Sequence, residues 1–527
     1  MVLRRDSCIY LMEEKIQDKT SYSTRRIAKN TLMLYFRQIL ILLVSLYTVR
    51  VVLSELGAQD YGIYNVVAGV VTMFSFLSGA MASATQRFFS YALGEGAQGR
   101  LDRIFCVNLV VYAGIAVFAI LLLETVGLWF VQNKLNIPFG RQEAGIAIFH
   151  LAVLSFVCSI FSSPFIAIII AHEDMQLYAC ISVVDTVMKL LLVFVLGWVS
   201  FDKLIVYGAL LSFVSLASTG IYIIVCTRRY RECQFRSFHW DSRLFREIYA
   251  FTGWSLFGQL TTVGRTQAVT ILVNQMFSPL VVASRSVAVQ VSSAANILAT
   301  NFNTSLYPAI IKEYAAGDRQ KMFSLLFRGC RLSFFLIWIV ALPLFVEMEF
   351  VLELWLGSPP QAAVLFTRLT LVEVVVNTVC LPLGTAARAP GRMREYELSL
   401  GSIQLCIFIA DFILFRFFHA PAYVVYIVAA VGNLLMLVVR LILVRWLLGF
   451  PATQFVVQVL ARILVAAGLS GCASWYVASV LPDTFVWVVL GGLLSVLFSC
   501  LALWSVGFGR EERLFVMRKI KGRFARR

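Results

Sequence analysis

Ala144–Ala171 reads AGIAIFHLAVLSFVCSIFSSPFIAIIIA, 28 residues without one Asp, Glu, Lys or Arg. At 1.5 Å per residue such a run extends about 42 Å as a helix, more than the ~30 Å hydrocarbon thickness of a bilayer. It shows no alternation of period two, which a barrel strand would need, and lipid offers nothing to satisfy stray backbone N–H and C=O groups. The stretch therefore predicts a transmembrane α-helix. Comparable apolar runs of about 20 to 28 residues recur along the whole chain. Of its 527 residues 60% are hydrophobic and 14% charged, with a mean hydropathy of +0.83. A soluble globular chain carries roughly 25% charged residues.

The fold class expected is an all-α integral membrane protein. About fourteen spans are predicted, beginning near Asn30, Tyr61, Arg103, Glu143, Met175, Lys203, Glu247, Leu280, Phe323, Ala362, Glu397, Pro421, Phe455 and Phe485. With the N-terminus inside, about 32 of the 45 Lys and Arg fall between spans on the cytoplasmic side and about 4 outside. The positive-inside rule thus places both ends in the cytoplasm. The net charge of +16 is concentrated in Met1 to Lys29, Arg228 to Arg246 and Arg510 to Arg527. Basic residues there retain loops and contact anionic head groups, so membrane lipid is the expected partner and nucleic acid is not. The first 29 residues are too polar to read as a cleaved secretion signal.

Pro164 also opens an internal repeat. Pro164, Met175 and Tyr178 recur as Pro382, Met393 and Tyr396, a shift of 218 residues, and Tyr91-Ala92 recurs as Tyr314-Ala315, a shift of 223. An offset of six spans is even and keeps the halves in the same orientation, related by a pseudo-twofold axis along the membrane normal. The organisation predicted is a cytoplasmic segment 1–29, an N-lobe 30–226 of six spans, a basic linker 227–246, a C-lobe 247–446 of six spans, two further spans in 455–507 and a basic tail 508–527. Transporters built from two such repeats bind substrate where the repeats meet.

Several chemistries lack their residues. There is no G-x-x-x-x-G-K-[ST] phosphate loop and no H-E-x-x-H helix, and the four histidines (His150, His172, His239 and His419) are scattered. The eleven cysteines have no C-x-x-C spacing and read as small packing residues. No cofactor, metal or catalytic group is expected. No external segment exceeds about 20 residues, too little for an extracytoplasmic catalytic domain.

What the spans do hold is basic charge, at a cost of roughly 2.5–3.5 kcal/mol per residue unless a partner, a wet cavity or the interface takes it up. Arg37 and Arg50 fall on span one, Arg87 on two, Arg265 on seven and Arg285 on eight, the matching elements of the two halves. Lys189, Arg331, Arg368 and Arg462 lie on other spans. Acidic residues in those four spans reduce to Glu55 and Glu247 near the ends, so these arginines are expected without local neutralisation. The guanidinium fork suits phosphate oxygens, which makes the five arginines candidates for binding a phosphate or pyrophosphate head group. Snorkelling is the alternative for Arg37, Arg50, Arg87 and Arg285.

Asp185 and Lys189, four apart on one helix face, read as a structural ion pair or as an ion-coupling site. Glu373 and Asp411 pose the same choice, with Arg368 or Arg416 as partners. Polar residues on span eight (Gln290, Asn296, Asn301 and Asn303) and aromatics such as Tyr47, Tyr64, Phe74 and Trp254 suit a sugar-lined cavity or helix packing. Pro164, Pro308, Pro343 and Pro382 mark expected kinks.

The stretch from Asn30 to Gly96, with Leu56-Gly57, Asp60-Tyr61-Gly62-Ile63-Tyr64-Asn65-Val66-Val67 and Ala84-Thr85-Gln86-Arg87-Phe88, resembles the start of Wzx-type polysaccharide flippases, in the superfamily that also holds lipid II flippases and MATE exporters. The resemblance implies turning an undecaprenyl-pyrophosphate-linked oligosaccharide from the cytoplasmic to the periplasmic leaflet of the inner membrane by alternating access, for O-antigen, capsule or exopolysaccharide. It implies cavity arginines on the pyrophosphate, a lipid-tail groove in the last two spans, and a polysaccharide polymerase with chain-length machinery as candidate protein partners. Arg87 is the arginine whose context matches the family. A MATE-like antiporter for drugs or small solutes is the rival. MATE exporters typically have twelve spans and bind cations, so fourteen spans and a cationic interior point away from them.

Overall fold

The computed structural model describes residues 2–509 and Arg513, apart from 97, 136–137, 199–200, 235–239, 278, 357–358, 361 and 483; for residues 2–26 and some others, Arg50 among them, only the backbone is described. Among the described residues every regular element is helical. The chain divides into two compact units, Met1–Leu260 with Thr304–Gly317, and Thr261–Asn303 with Asp318–Arg527.

The first unit contains α1 (Val2–Thr72), α2 (Ser75–Glu95), α3 (Gln98–Leu122), α4 (Leu128–Lys134), α5 (Gln142–Ala171), α6 (Met175–Leu196) and α7 (Lys203–Arg229). Two further helices, α8 (Ser242–Met276) and α9 (Pro279–Ala315), contribute residues to both units. The second unit continues with α10 (Arg319–Val346), α11 (Met348–Leu356), α12 (Ala363–Arg388), α13 (Met393–Phe418), α14 (Val424–Leu448), α15 (Ala452–Phe455), α16 (Arg462–Val480) and α17 (Phe485–Ala502).

Eleven stretches among the described residues are long and apolar enough to cross a membrane. A twelfth is added if Ile63–Thr72 and Ser75–Glu95, bent 41° at their junction, form one broken span. The second predicted span is thus bent near Met73, a break its sequence did not announce. The helices α8 and α9, of 35 and 37 residues, are long enough at about 52 and 55 Å. Neither is one of the eleven found among the described residues; α8 carries Arg265, and α9 carries Arg285, Gln290, Asn296, Asn301 and Asn303.

Local chemistry explains the element ends. Gly57 interrupts α1 with φ 79, and Gly96 and Gly449 close α2 and α14 with φ 70 and 68, a region where a Cβ is strained. Asp202 caps α7 by accepting from the Leu204 N–H. Pro164 and Pro382 lie buried inside α5 and α12. Lipid removes the hydrophobic drive between helices, so packing and hydrogen bonds associate them. In the first unit Val67, Met81, Tyr112, Phe149, Ile160 and Leu204 form a core, and Thr85 on α2 hydrogen-bonds Asn108 and Tyr112 on α3 at 3.1 and 3.0 Å. In the second, Leu272, Val273, Phe415 and Val425 pack together. Helices α5 and α7 pair along their length, as do α12 and α14. On α1, Leu32, Phe36 and Leu43 are each more than 60% exposed, an apolar surface suited to lipid.

Candidate functional site

Four of the residues singled out from sequence come together in the second unit. Arg265 on α8 lies 3.5 Å from the Glu373 carboxylate on α12, which also accepts from Asn433 on α14 at 3.1 Å. Arg285 on α9 is buried with its guanidinium 5.8 Å from the centre of the Tyr426 ring, which packs on Phe366. Asp411 on α13 is fully buried, neither carboxylate oxygen has a hydrogen-bond partner, and it lies within electrostatic reach of Arg265, Arg285 and Glu373.

This corrects two expectations. Arg265 is neutralised locally, by an acid more than a hundred residues away in sequence on a helix the four-span count did not include. Glu373 pairs with Arg265 and not with Arg368, whose guanidinium donates to the Phe345 and Val346 carbonyls.

The first unit holds the other candidates. Arg37 on α1 is buried, reaches Ser182 at 3.5 Å and lies 4.6 Å over the Tyr178 ring. Arg87 on α2 is buried against the rings of Phe88, Tyr91 and Phe251 at 4.6, 5.2 and 5.5 Å. The Arg50 side chain lies outside the described residues. Lys189 bonds Asp185 at 2.8 Å, and Ser218 donates to the other Asp185 oxygen.

Other charged groups escaped the sequence reading. Arg440 on α14, half-buried near Tyr396, Cys380 and Glu397, lies within a predicted span but is not among the basic residues singled out there. Asp60, part of the Asp-Tyr-Gly-Ile-Tyr-Asn run, is bound by Arg141, which also holds Asp202. These three tie together α1, the start of α5 and the start of α7. Asp60 was visible only as a motif letter, because its partner lies 81 residues on. A cavity of about 580 Å³ is lined by Gly99, Arg100, Arg103, Asp241, Arg243, Leu244 and Glu247. Asp241 is held below the ordinary carboxylate range, first by the Leu244 N–H that it caps and also by the Arg243 N–H and by Arg103 and Arg100. Among the described residues no three His, Cys, Asp or Glu gather as a metal site.

These helices define a class, a polytopic helical membrane protein with the MATE-like fold. The chain aligns with an outward-facing multidrug resistance MATE family transporter of the MOP superfamily at a TM-score of 0.71 and 13% identity, covering 80% of this chain and 95% of that one. A MOP superfamily transporter from Pyrococcus furiosus, described as having a binding pocket of reversed polarity, aligns at a TM-score of 0.64 and 13% identity, over 82% and 96%. The MATE transporter ClbM in complex with Rb⁺ aligns at 0.65 and 14%, over 80% and 95%. Residues 27–313, just over half of the chain, match the family described as polysaccharide biosynthesis protein, and the chain belongs to that family. No curated protein matches it in sequence.

Proposed function

We propose that the chain is a flippase that carries an undecaprenyl-pyrophosphate-linked oligosaccharide from the cytoplasmic to the periplasmic leaflet by alternating access, for O-antigen, capsule or exopolysaccharide assembly. The observation that carries this reading is the setting of Arg37, Arg87 and Arg285. Each is buried inside a long helix and braced by aromatic rings. An aromatic ring attracts a guanidinium by its face. Such groups suit a phosphate-bearing head group better than a cation. Asp411 serves as the ion-coupling residue, since a buried carboxylate without donors is relieved by a proton or a cation, and the half-buried Glu373, held by Arg265 and Asn433, adds a second carboxylate beside it. Asp185 and Lys189 are the structural pair of α6.

In this reading α8 and α9 are spans seven and eight, bringing the count to fourteen, and both ends lie in the cytoplasm of a bacterial inner membrane. The paired packing of α5 with α7 and of α12 with α14 supports two repeats of six spans with α16 and α17 appended. Those last two helices expose Leu464, Trp475 and Leu493 and would hold the lipid tail. A polymerase is the candidate protein partner.

The alternative is a MATE-like antiporter for small solutes, favoured by the fully buried Asp411. Proteoliposomes carrying fluorescent undecaprenyl-pyrophosphate oligosaccharide separate the two. Wild type should flip it, and Arg285→Gln or Arg87→Gln should slow flipping at least about tenfold at matched insertion, the scale of one lost charged hydrogen bond. A wild type that ignores several glycans while exporting a cationic dye overturns the flippase reading.

A further inference from the structure

The turn between α5 and α6 sends three consecutive side chains to two destinations. His172 hydrogen-bonds Glu232 and stacks on the Tyr230 ring at 4.6 Å. Asp174 accepts from the Tyr230 hydroxyl at 3.0 Å and pairs with Arg229 at 2.7 Å. Both anchor the turn to the end of α7. Burial alone pushes the Glu232 carboxyl up, yet hydrogen bonds from His172 and its own backbone, with the His172 charge, leave it below the ordinary value. That anchor is therefore ionised at neutral pH.

Glu173, between them, points elsewhere. Its carboxylate takes a 2.7 Å ion pair from Lys312 near the end of α9, and its carbonyl accepts from Asn30 on α1 at 3.3 Å. Its φ is 62, a left-handed conformation strained for any residue with a Cβ and maintained only where surrounding contacts enforce it. A glycine would fit the backbone better but would lose the carboxylate.

The end of α9 is pressed close by other means. A Cβ on Gly94 of α2 would lie 2.6 Å from the Lys312 carbonyl oxygen and 2.8 Å from the Ala315 Cβ, Tyr91 meets Tyr314 at 6.2 Å, and Ser305 bonds Thr31 at 2.7 Å. Tyr91 and Tyr314 are the residues that the repeat relates. Only residues 304–317 of this region belong to the first unit, whereas α9 up to Asn303 belongs to the second.

We propose that the Glu173–Lys312 ion pair is a latch on the cytoplasmic mouth of the transport path, holding the inner end of α9 shut against the α5–α6 turn and breaking when the mouth opens. The latch rests on the transport reading above, which supplies the path and the orientation. An anchor on both sides of a strained residue, with a charge pair to the end of α9, suits an element with two discrete arrangements. The pair is largely shielded, with Lys312 23% and Glu173 10% exposed, so the charges it frees must be met by water as the mouth opens.

The test uses the full chain, its native cysteines replaced, with Ser90→Cys as reporter on α2, where Ser90 is fully buried. Inside-out vesicles are treated with an impermeant maleimide. Glu173→Gln and Lys312→Gln should each speed labelling roughly fivefold, the population shift expected from losing one modest ion pair. The swap Glu173→Lys with Lys312→Glu should bring it back. Ser333→Cys, fully buried on α10, controls for general loosening and should not change. Unchanged labelling in both single variants, or acceleration that the swap fails to reverse, overturns the latch. Labelling does not depend on a glycan, so a wild type that flips none in the parallel assay would sink the transport reading without mimicking failure of the latch.

Discussion

Asp318, just ahead of α10, shows what one side chain does at a helix end. Its carboxylate accepts from the Lys321 backbone N–H at 3.0 Å and from the Lys321 ammonium at 2.8 Å. First the ammonium and then the N–H hold its carboxyl below the usual range. A carboxyl lowered in the folded state contributes stability that is complete above its unfolded value, ~3.9, and is lost as pH falls through the lower folded value. Asp318→Ala should therefore cost about 1 kcal/mol at pH 7, the worth of an N-cap, and less near pH 2. Urea unfolding of the purified protein at both pH values checks this; an equal loss at each would mean the cap does not act through its charge. At this scale the sequence exposed the arginines but not their company. Arg265 was legible as an ionisable group in an apolar helix, whereas its pairing with Glu373 depends on three-dimensional packing between α8 and α12. Asn433 carried no signal at all, since an amide inside a span is as common at a packing contact as at a site.

Among elements, α2 is constrained on several sides. Its Thr85 bonds α3, its Arg87 lies among three rings, and its Gly94 admits the backbone of α9. The Ala-Thr-Gln-Arg-Phe run that resembles a family motif thus includes a packing residue beside the arginine. A Cβ at position 94 would meet backbone, at 2.7 Å from the Lys312 Cα, and a backbone cannot rotate aside. Gly94→Ala should destabilise the protein by about 1–3 kcal/mol, the cost of overpacking. Gly99→Ala, where a Cβ meets nothing within 4 Å, should change little. Thermal unfolding in detergent compares the two, and equal melting temperatures would show that the close approach is not enforced. Helices of uninterrupted apolarity such as α5 were legible from hydropathy, because length and composition alone decide what crosses a bilayer. The break between α1 and α2 was not, since no proline marks Met73 and Phe74. The repeated Pro164 and Pro382 were legible because each lies inside the helix that precedes a Met-x-x-Tyr start.

At the scale of the molecule the open quantity is the number of crossings, and it turns on α8 and α9. Among the described residues eleven spans or twelve are apolar enough to cross, and neither α8 nor α9, which carry charged and amide residues, is one of them. Both helices are long enough to cross at ~1.5 Å per residue, and the stretch between them is short, from Met276 to Pro279. If they cross, Met276 faces the periplasm while Arg243 and Ala316 face the cytoplasm, an odd number of crossings separating the first from the other two. Single thiols introduced by Arg243→Cys, Met276→Cys and Ala316→Cys in the full chain decide it, since the native side chains there are all exposed. In intact cells an impermeant maleimide should label only the Met276→Cys variant, and the other two should react only after the inner membrane is opened. Protection of all three would leave α8 and α9 on one side, reduce the count to twelve, and remove Arg265 and Arg285 from the membrane altogether. Arg265 would then pair with Glu373 for stability alone, and the phosphate site would have to rest on Arg37 and Arg87.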